Sequence, residues 1–454
     1  MNKLESPYPT LEDSNKMRPI KLSLLSSKNV SPHAIVIHAL VVLFFLYIIS
    51  PLEFTYFSAS FAFVFVGGGI FVASSYFLCQ LLGRGRDKYF ICHGHQAFRV
   101  RKLFRLCFYL SSAGVFLRFL DFFVLRGYNF DEGFSSLRLS LQSITYAESS
   151  DVSRAGMISA LGAFLYGFTY PLTIIIIMFY ASIPSFYRKA GVLLAVVPII
   201  DSLLNAGIMG AAFTLLYIAF ALLYKWHTLN RKLNIKRVSY AALLMFALLW
   251  VGSFNYLNRI ELMFGDIQTF FDYSTGIVRP GPYLFDLFEV PIIGSFAFAY
   301  YWISSYLLQG VAEFSFLFDN FNSDDFLYGA KQFFVVDKFL SIIGLTTFDA
   351  YQLTAVNPRP GRYQTVFGDI YMDFGVMGLL FQPLIAGLIF AYAYLSRGRG
   401  KIWALIMYPF FQASIVSGFL INSFSGSRFY FLAAGIVAII FYYLSLGPRK
   451  RNFE

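Results

Sequence analysis

The sequence predicts an all-α, polytopic integral membrane protein of about ten transmembrane helices, with one large external loop carrying interfacial helices. Three observations predict it. Charged residues make up only 13 % of the 454, whereas hydrophobic residues reach 57 % and aromatic ones 20 %. Apolar runs long enough to cross about 30 Å of hydrocarbon recur along the chain. Lys and Arg gather in alternate connections between those runs. A water-soluble core cannot absorb so much apolar surface without large exposed patches. Soluble enzyme, nucleic-acid binder and disordered protein are therefore excluded, and the net charge of +11 reads as membrane topology.

A polar tail, 1–33, precedes the first apolar run and carries no cleavable signal peptide. Spans are expected at 34–50, 56–82, 106–125 and 156–181. The stretch 190–225 is too long for one helix, and Pro198, Asn205, Gly207 and Gly210 divide it into 190–204 and 208–225. A seventh span at 238–254 closes the first membrane block, 34–254, and spans at 374–395, 402–421 and 429–446 form the second, 374–446. Between the two blocks lies 255–373, a loop of 119 residues and far longer than a simple connection. Within it, Pro291–Gly310 is apolar enough to mimic a span. One more crossing would reverse every later loop, so it reads as an interfacial or re-entrant helix with Tyr300, Tyr301, Trp302 and Tyr306 at headgroup level. The tail 447–454 ends the chain.

Sidedness follows from charge. With the N-terminus inside, the segments 1–33, 83–105, 182–189, 225–237, 397–401 and 447–454 are cytoplasmic. They hold 25 of the 36 Lys and Arg but only 5 of the 25 Asp and Glu. Both termini are expected in the cytoplasm. Of the eleven remaining basic residues nine are Arg, and only Lys331 and Lys338 are Lys. Guanidinium binds phosphate and carboxylate through a planar fork, so this bias points to an anionic ligand outside.

The densest polar stretch is 357–378. Pro358, Pro360 and Gly361 build a turn presenting Arg359 and Arg362, and Asp369 and Asp373 follow on one helical face. Two guanidiniums and two carboxylates at a membrane mouth can clamp an anionic headgroup and supply a base. Arg279 lies on a similar Pro-Gly phrase earlier in the loop. Arg259 and Glu261 sit near the outer end of the seventh span, and Arg428 near that of the tenth. Inside the membrane, Arg118 and Asp121 are spaced to pair, while Asp201 stands on the Pro-broken fifth span. Cys92-His93-Gly94-His95 lacks zinc spacing, and neither a metal nor a cofactor is expected.

The phrase Thr365, Gly368, Tyr371, Asp373, Phe374, Gly375 and Gly378 resembles the signature of Wzy-type O-antigen and oligosaccharide repeat-unit polymerases. The run Tyr306 to Phe314, with Gly310 at its centre, looks like a second region of that family. The family's Gly-Ser-Arg phrase between the fifth and sixth spans is missing from Asn205–Met209. The resemblance implies a membrane glycosyltransferase with an undecaprenyl-pyrophosphate-linked donor and acceptor and no nucleotide sugar. It would serve O-antigen, capsule or exopolysaccharide synthesis beside a repeat-unit flippase and a chain-length regulator. Arg359, Arg362, Arg279, Arg259 and Arg428 would stabilise the departing pyrophosphate. Asp369, Asp373 or Glu261 would take the acceptor proton. Two alternatives stay open. An O-antigen ligase shares the topology but uses a His in the large loop, and none of the five histidines falls within 255–373. A lipid-linked oligosaccharide flippase or other transporter would account for the intramembrane charges.

Overall fold

The computed structural model describes residues 31–82, 94–125, 154–204, 208–228, 365–420 and 429–445. It also describes most of 252–288 and 293–337, the stretches 356–359 and 422–423, and a few single positions between them. In chain order the elements are α1 (Pro32–Ile49), β1 (Leu52–Phe54), α2 (Ala62–Leu82), α3 (Gly94–Leu120), α4 (Arg154–Tyr166) and α5 (Thr169–Phe179). Next come α6 (Ser185–Leu204), α7 (Ile208–Thr228), α8 (Ile267–Tyr273), β2 (Val278–Pro280), α9 (Pro282–Phe288) and α10 (Ile293–Asn320). Finally α11 (Val366–Gly398), α12 (Ile402–Gly418) and α13 (Phe429–Leu444) complete the fold.

Five helical stretches are long and apolar enough to cross a membrane: Pro32–Ile49, Ala59–Leu82, Phe98–Leu125, Ile158–Phe179 and Val366–Gly398. The chain is thus a helical, multi-pass membrane protein. Helix α1 illustrates the physics. Ser31 caps it by accepting from Ala34 N, and Pro32 fits the first turn, where no backbone donor is needed. Its Ile37, Val41, Val42, Phe44 and Phe45 then face outward, an arrangement that hydrocarbon tolerates and water does not.

Packing fixes the direction of each helix. Leu40 meets Gly68 and His33 meets Tyr76, so α1 and α2 form an antiparallel hairpin. Helix α11 runs parallel to α2, since Gly67 faces Leu379 and Gly387 faces Phe71 and Ser74. The break expected between 204 and 208 separates α6 from α7. The single span expected at 156–181 reappears as Ile158–Phe179, interrupted by a turn at Gly167–Phe168, where Gly167 lies against the Tyr430 carbonyl. The span expected from 374 begins eight residues earlier, at Val366. Gly375, with φ of 60°, kinks that helix one residue beyond the expected start. The span expected at 238–254 lies mostly outside the described residues, with 252–254 helical at its end.

Basic segments that are remote in sequence meet at one end of the bundle. Arg399 Nη2 donates to Leu82 O (3.3 Å), and Arg397 lies over the ring of Tyr224 (4.5 Å). Lys225 and Arg188 both lie over Tyr180, and Arg101 Nε donates to Ser182 O (2.8 Å). Buried Arg397 is also flanked by Tyr394 and Tyr408, at 4.7 Å each.

At the opposite end α10 lies across the α1–α2 hairpin. Tyr300 Oη donates to Ile49 O (2.6 Å), and fifteen residues later Ser315 Oγ accepts from Ser58 N (2.9 Å). Fifteen helical residues span about 22 Å. One contact is at the end of α1 and the other in the connection to α2, so α10 crosses the hairpin's end, and Phe318 also stacks on Phe63 of α2 at 4.7 Å. That connection also supplies β1, which pairs antiparallel with β2 and sets Glu53 opposite Arg279.

Close approach is tightest at Gly114. A Cβ there would lie 2.1 Å from Tyr166 N and 2.4 Å from Leu165 C, so α3 and α4 touch backbone to backbone. Gly114→Ala must separate them, and by overpacking it should lower stability by at least about 2 kcal/mol. Thermal melting in detergent checks this, with Gly69→Ala, which has open space, as the neutral control. Equal melting of the two variants would contradict the crossing.

Candidate functional site

Across the bundle's middle, Arg118 Nε binds Asp201 Oδ1 at 2.9 Å, joining α3 to α6. Tyr166 Oη donates to the other Asp201 oxygen (3.3 Å). The sequence spacing had paired Arg118 with Asp121, one turn along the same helix. The guanidinium reaches across to Asp201 on a second helix, while Asp121 remains close enough to act on its charge, as intramembrane charges pair with one another. Asp121 is itself buried, in the π-helical turn that ends α3.

The polar site sits at the end crossed by α10. Helix α11 starts there because Thr365 caps it, accepting from Gly368 N (3.3 Å). Asp369 follows in the first turn, 5 % exposed, and its Oδ2 accepts from Asn422 Nδ2 at 2.9 Å. Ser417 and Ser423 hydroxyls join beneath, 2.5 Å apart. Gly310 of α10 lets that helix approach Thr365 and the Leu420 carbonyl. One turn on, Glu313 is 2 % exposed and pairs with Arg359, Nε to Oε2, at 2.9 Å. Gln309 Nε2 approaches the other Glu313 oxygen at 3.4 Å. Arg359 stacks over Phe316 at 5.3 Å, and its backbone N donates to Asn357 Oδ1 (3.1 Å). Ion pair, ring and turn together fix the guanidinium plane.

Beside this lies a hydroxyl cluster. Ser58 and Ser60 approach Ser315 at 2.9 and 3.2 Å, and Tyr56 Oη donates to Asp319 Oδ2 at 2.6 Å. Burial raises the Asp319 carboxyl, but hydrogen bonds from Ser58, Tyr56 and Ser60 outweigh it and leave it below the usual range.

The remaining expected residues fall in different places. Asp373 is fully buried, and its two oxygens accept from Lys331 N (2.9 Å) and Gln332 N (3.0 Å). That commits it to holding the 327–332 turn. Arg279 is exposed on β2, because Pro280 continues an edge strand here in place of opening a turn. Its ribbon packs through Val278 on Ala312, on the flank of Glu313. Glu261 is exposed, and its neighbour Ile260 packs with Phe298, Tyr301 and Trp302. The last of these precedes Glu313 by eleven residues, about 16 Å of helix. Arg362, Arg259 and Arg428 lie outside the described residues, as does the pair Cys92–His93.

Glu313 is the residue that the sequence reading missed. Its signal was present: it is the single Asp, Glu, Lys, Arg or His between Pro291 and Phe318. A carboxylate in an otherwise apolar helix demands a partner.

Against this site opens a cavity of about 490 Å³. Val366, Phe367, Ile370, Gly418 and Phe419 line it beside Thr365 and Asp369, while Phe71, Ile389 and Phe390 line it deep among the spans. Its walls are almost wholly apolar. Gln332 and Ser414 are among its few polar groups, and the Gln332 Nε2 and Ser414 Oγ atoms are buried without a hydrogen-bond partner among the described residues. No known protein family, characterised protein or solved structure matches this chain.

Proposed function

We propose that the chain polymerises oligosaccharide repeat units linked to a polyprenyl pyrophosphate, at the outer face of a bacterial cytoplasmic membrane. The observation that carries this reading is one juxtaposition. The first turn of α11 carries the buried Asp369 and, through Val366, Phe367 and Ile370, lines an apolar cavity that continues down between membrane helices, while the adjoining α10 holds Arg359 through Glu313. A lipid-linked sugar has the same order of parts: a hydrocarbon chain, a pyrophosphate, then a saccharide. In this reading the ten-span topology holds, the basic end faces the cytoplasm, and 255–373 lies outside.

The carrier's first isoprenes occupy the cavity, and its pyrophosphate rises to Arg359, with Arg362, three residues on in the sequence, as a second candidate. The acceptor sugar's hydroxyl oxygen attacks the anomeric carbon of the growing glycan. The bond from that carbon to the pyrophosphate oxygen breaks, and the pyrophosphate leaves with the electron pair. Arg359 stabilises the charge that develops there. Asp369 takes the hydroxyl proton, since Asp373 is committed to the turn and Glu261 is remote. Arg279 flanks the site and contributes field without a direct contact.

Deleting the gene tests the reading. The expected result is lipid A-core or carrier lipid bearing one repeat unit, seen as a collapsed ladder on a glycan gel. Unchanged long glycan would refute it, and a surface with no repeat unit at all would favour the ligase or transporter alternative.

A further inference from the structure

Tyr328 has a backbone φ of 50°, the one positive value recorded for a non-glycine residue among those described. A bulky side chain is strained there and persists only where its surroundings impose it. The surroundings do so. Leu327 N and Tyr328 N donate to the Met372 and Asp373 carbonyls (3.0 Å each), and the Asp373 carboxylate holds the next amides, of Lys331 and Gln332. Yet the ring gains nothing from the chain: Tyr328 is 82 % exposed. Strain without packing makes sense if the ring meets something outside the protein.

Its position says what. Gln332 and Phe333, four and five residues on, line the cavity, and Phe333 and Phe374 converge on Gly329, beside the ring. On the polymerase reading, the part of the substrate beyond the pyrophosphate lies on this side of the cavity. We propose that Tyr328 is a stacking platform for a saccharide of the lipid-linked substrate, an aromatic face against the C–H face of a pyranose ring. This rests on the polymerase reading, and it assigns the strained turn and the buried Asp373 to positioning that ring.

The test complements the deletion strain with four variants, scoring the glycan ladder beside immunoblots and melting temperature. Tyr328→Phe and Tyr328→Trp keep an aromatic face and should restore the ladder. Tyr328→Leu keeps bulk without a π-face, and Tyr328→Gly removes the ring while relieving the backbone. Both should cut the share of polymerised glycan roughly five- to tenfold, the scale of one aromatic contact. The Gly variant should do so with a melting temperature no lower than wild type. A full ladder from Leu overturns the platform alone, because an interfacial lipid anchor would tolerate Leu. Loss in Phe and Trp at normal protein level also overturns it. A deletion strain that keeps its long glycan overturns this inference together with the polymerase reading.

Discussion

Asp373→Ala is expected to destabilise the site end of the molecule more than any other single truncation there. The carboxylate is fully buried and accepts two backbone N–H groups, from Lys331 and Gln332, that have been taken out of water. Alanine leaves both donors orphaned, and the loss of two charge-assisted bonds together with their desolvation costs about 3–5 kcal/mol. Asn keeps one carbonyl oxygen but turns an NH2 toward the second donor, so Asp373→Asn should fall between Ala and wild type. Thermal melting in detergent measures the order, and limited proteolysis should locate the opening at 327–333. The consequence reaches function, because Phe333 and Gln332 form the cavity mouth. An Ala variant that melts like wild type would show that this turn is held by something else.

Much of the membrane architecture was legible in the sequence because hydropathy and charge act locally. A run of apolar residues must cross or be buried, and each Lys or Arg biases the connection that holds it. The spans at 34–50, 190–204, 208–225, 402–421 and 429–446 all reappear as helices, and Arg399, Arg397, Lys225 and Arg101 meet at one end. The kink beside the expected start at 374 was not read from the sequence, although Gly375 can hold a φ of 60° at little cost.

The pairings were not legible, because they join positions far apart in the chain. Glu313 and Arg359 are separated by forty-five residues, Arg118 and Asp201 by eighty-two, and nothing in either local pattern selects the partner. Arg279 shows the converse error. The Pro-Gly phrase it shares with Arg359 invites a common role, yet β1 supplies a strand partner that makes its Pro an edge position. The cavity has no sequence signature either, since its walls come from α2, α11, α12 and α13 at once.

The largest effect on activity is expected at Arg359. Its guanidinium is ion-paired with Glu313, and its plane lies over Phe316. A guanidinium held in this way is preorganised to stabilise a phosphate oxygen as negative charge grows on it. Arg359→Lys keeps the charge and loses the planar fork. Losing a bond that tightens only as the leaving group departs costs about 2–4 kcal/mol, roughly 30- to 1000-fold in polymerisation rate. A purely structural ion pair predicts the reverse pattern, with Lys tolerated and either single truncation lowering protein level by leaving a buried charge. The double variant Glu313→Leu with Arg359→Met separates the two accounts. Replacing a buried pair by apolar groups of similar size often costs no stability, so the protein should accumulate normally. If Arg359 meets the pyrophosphate, those membranes should hold abundant protein and no glycan ladder. A full ladder from the double variant would assign both residues to packing and remove Arg359 from the chemistry.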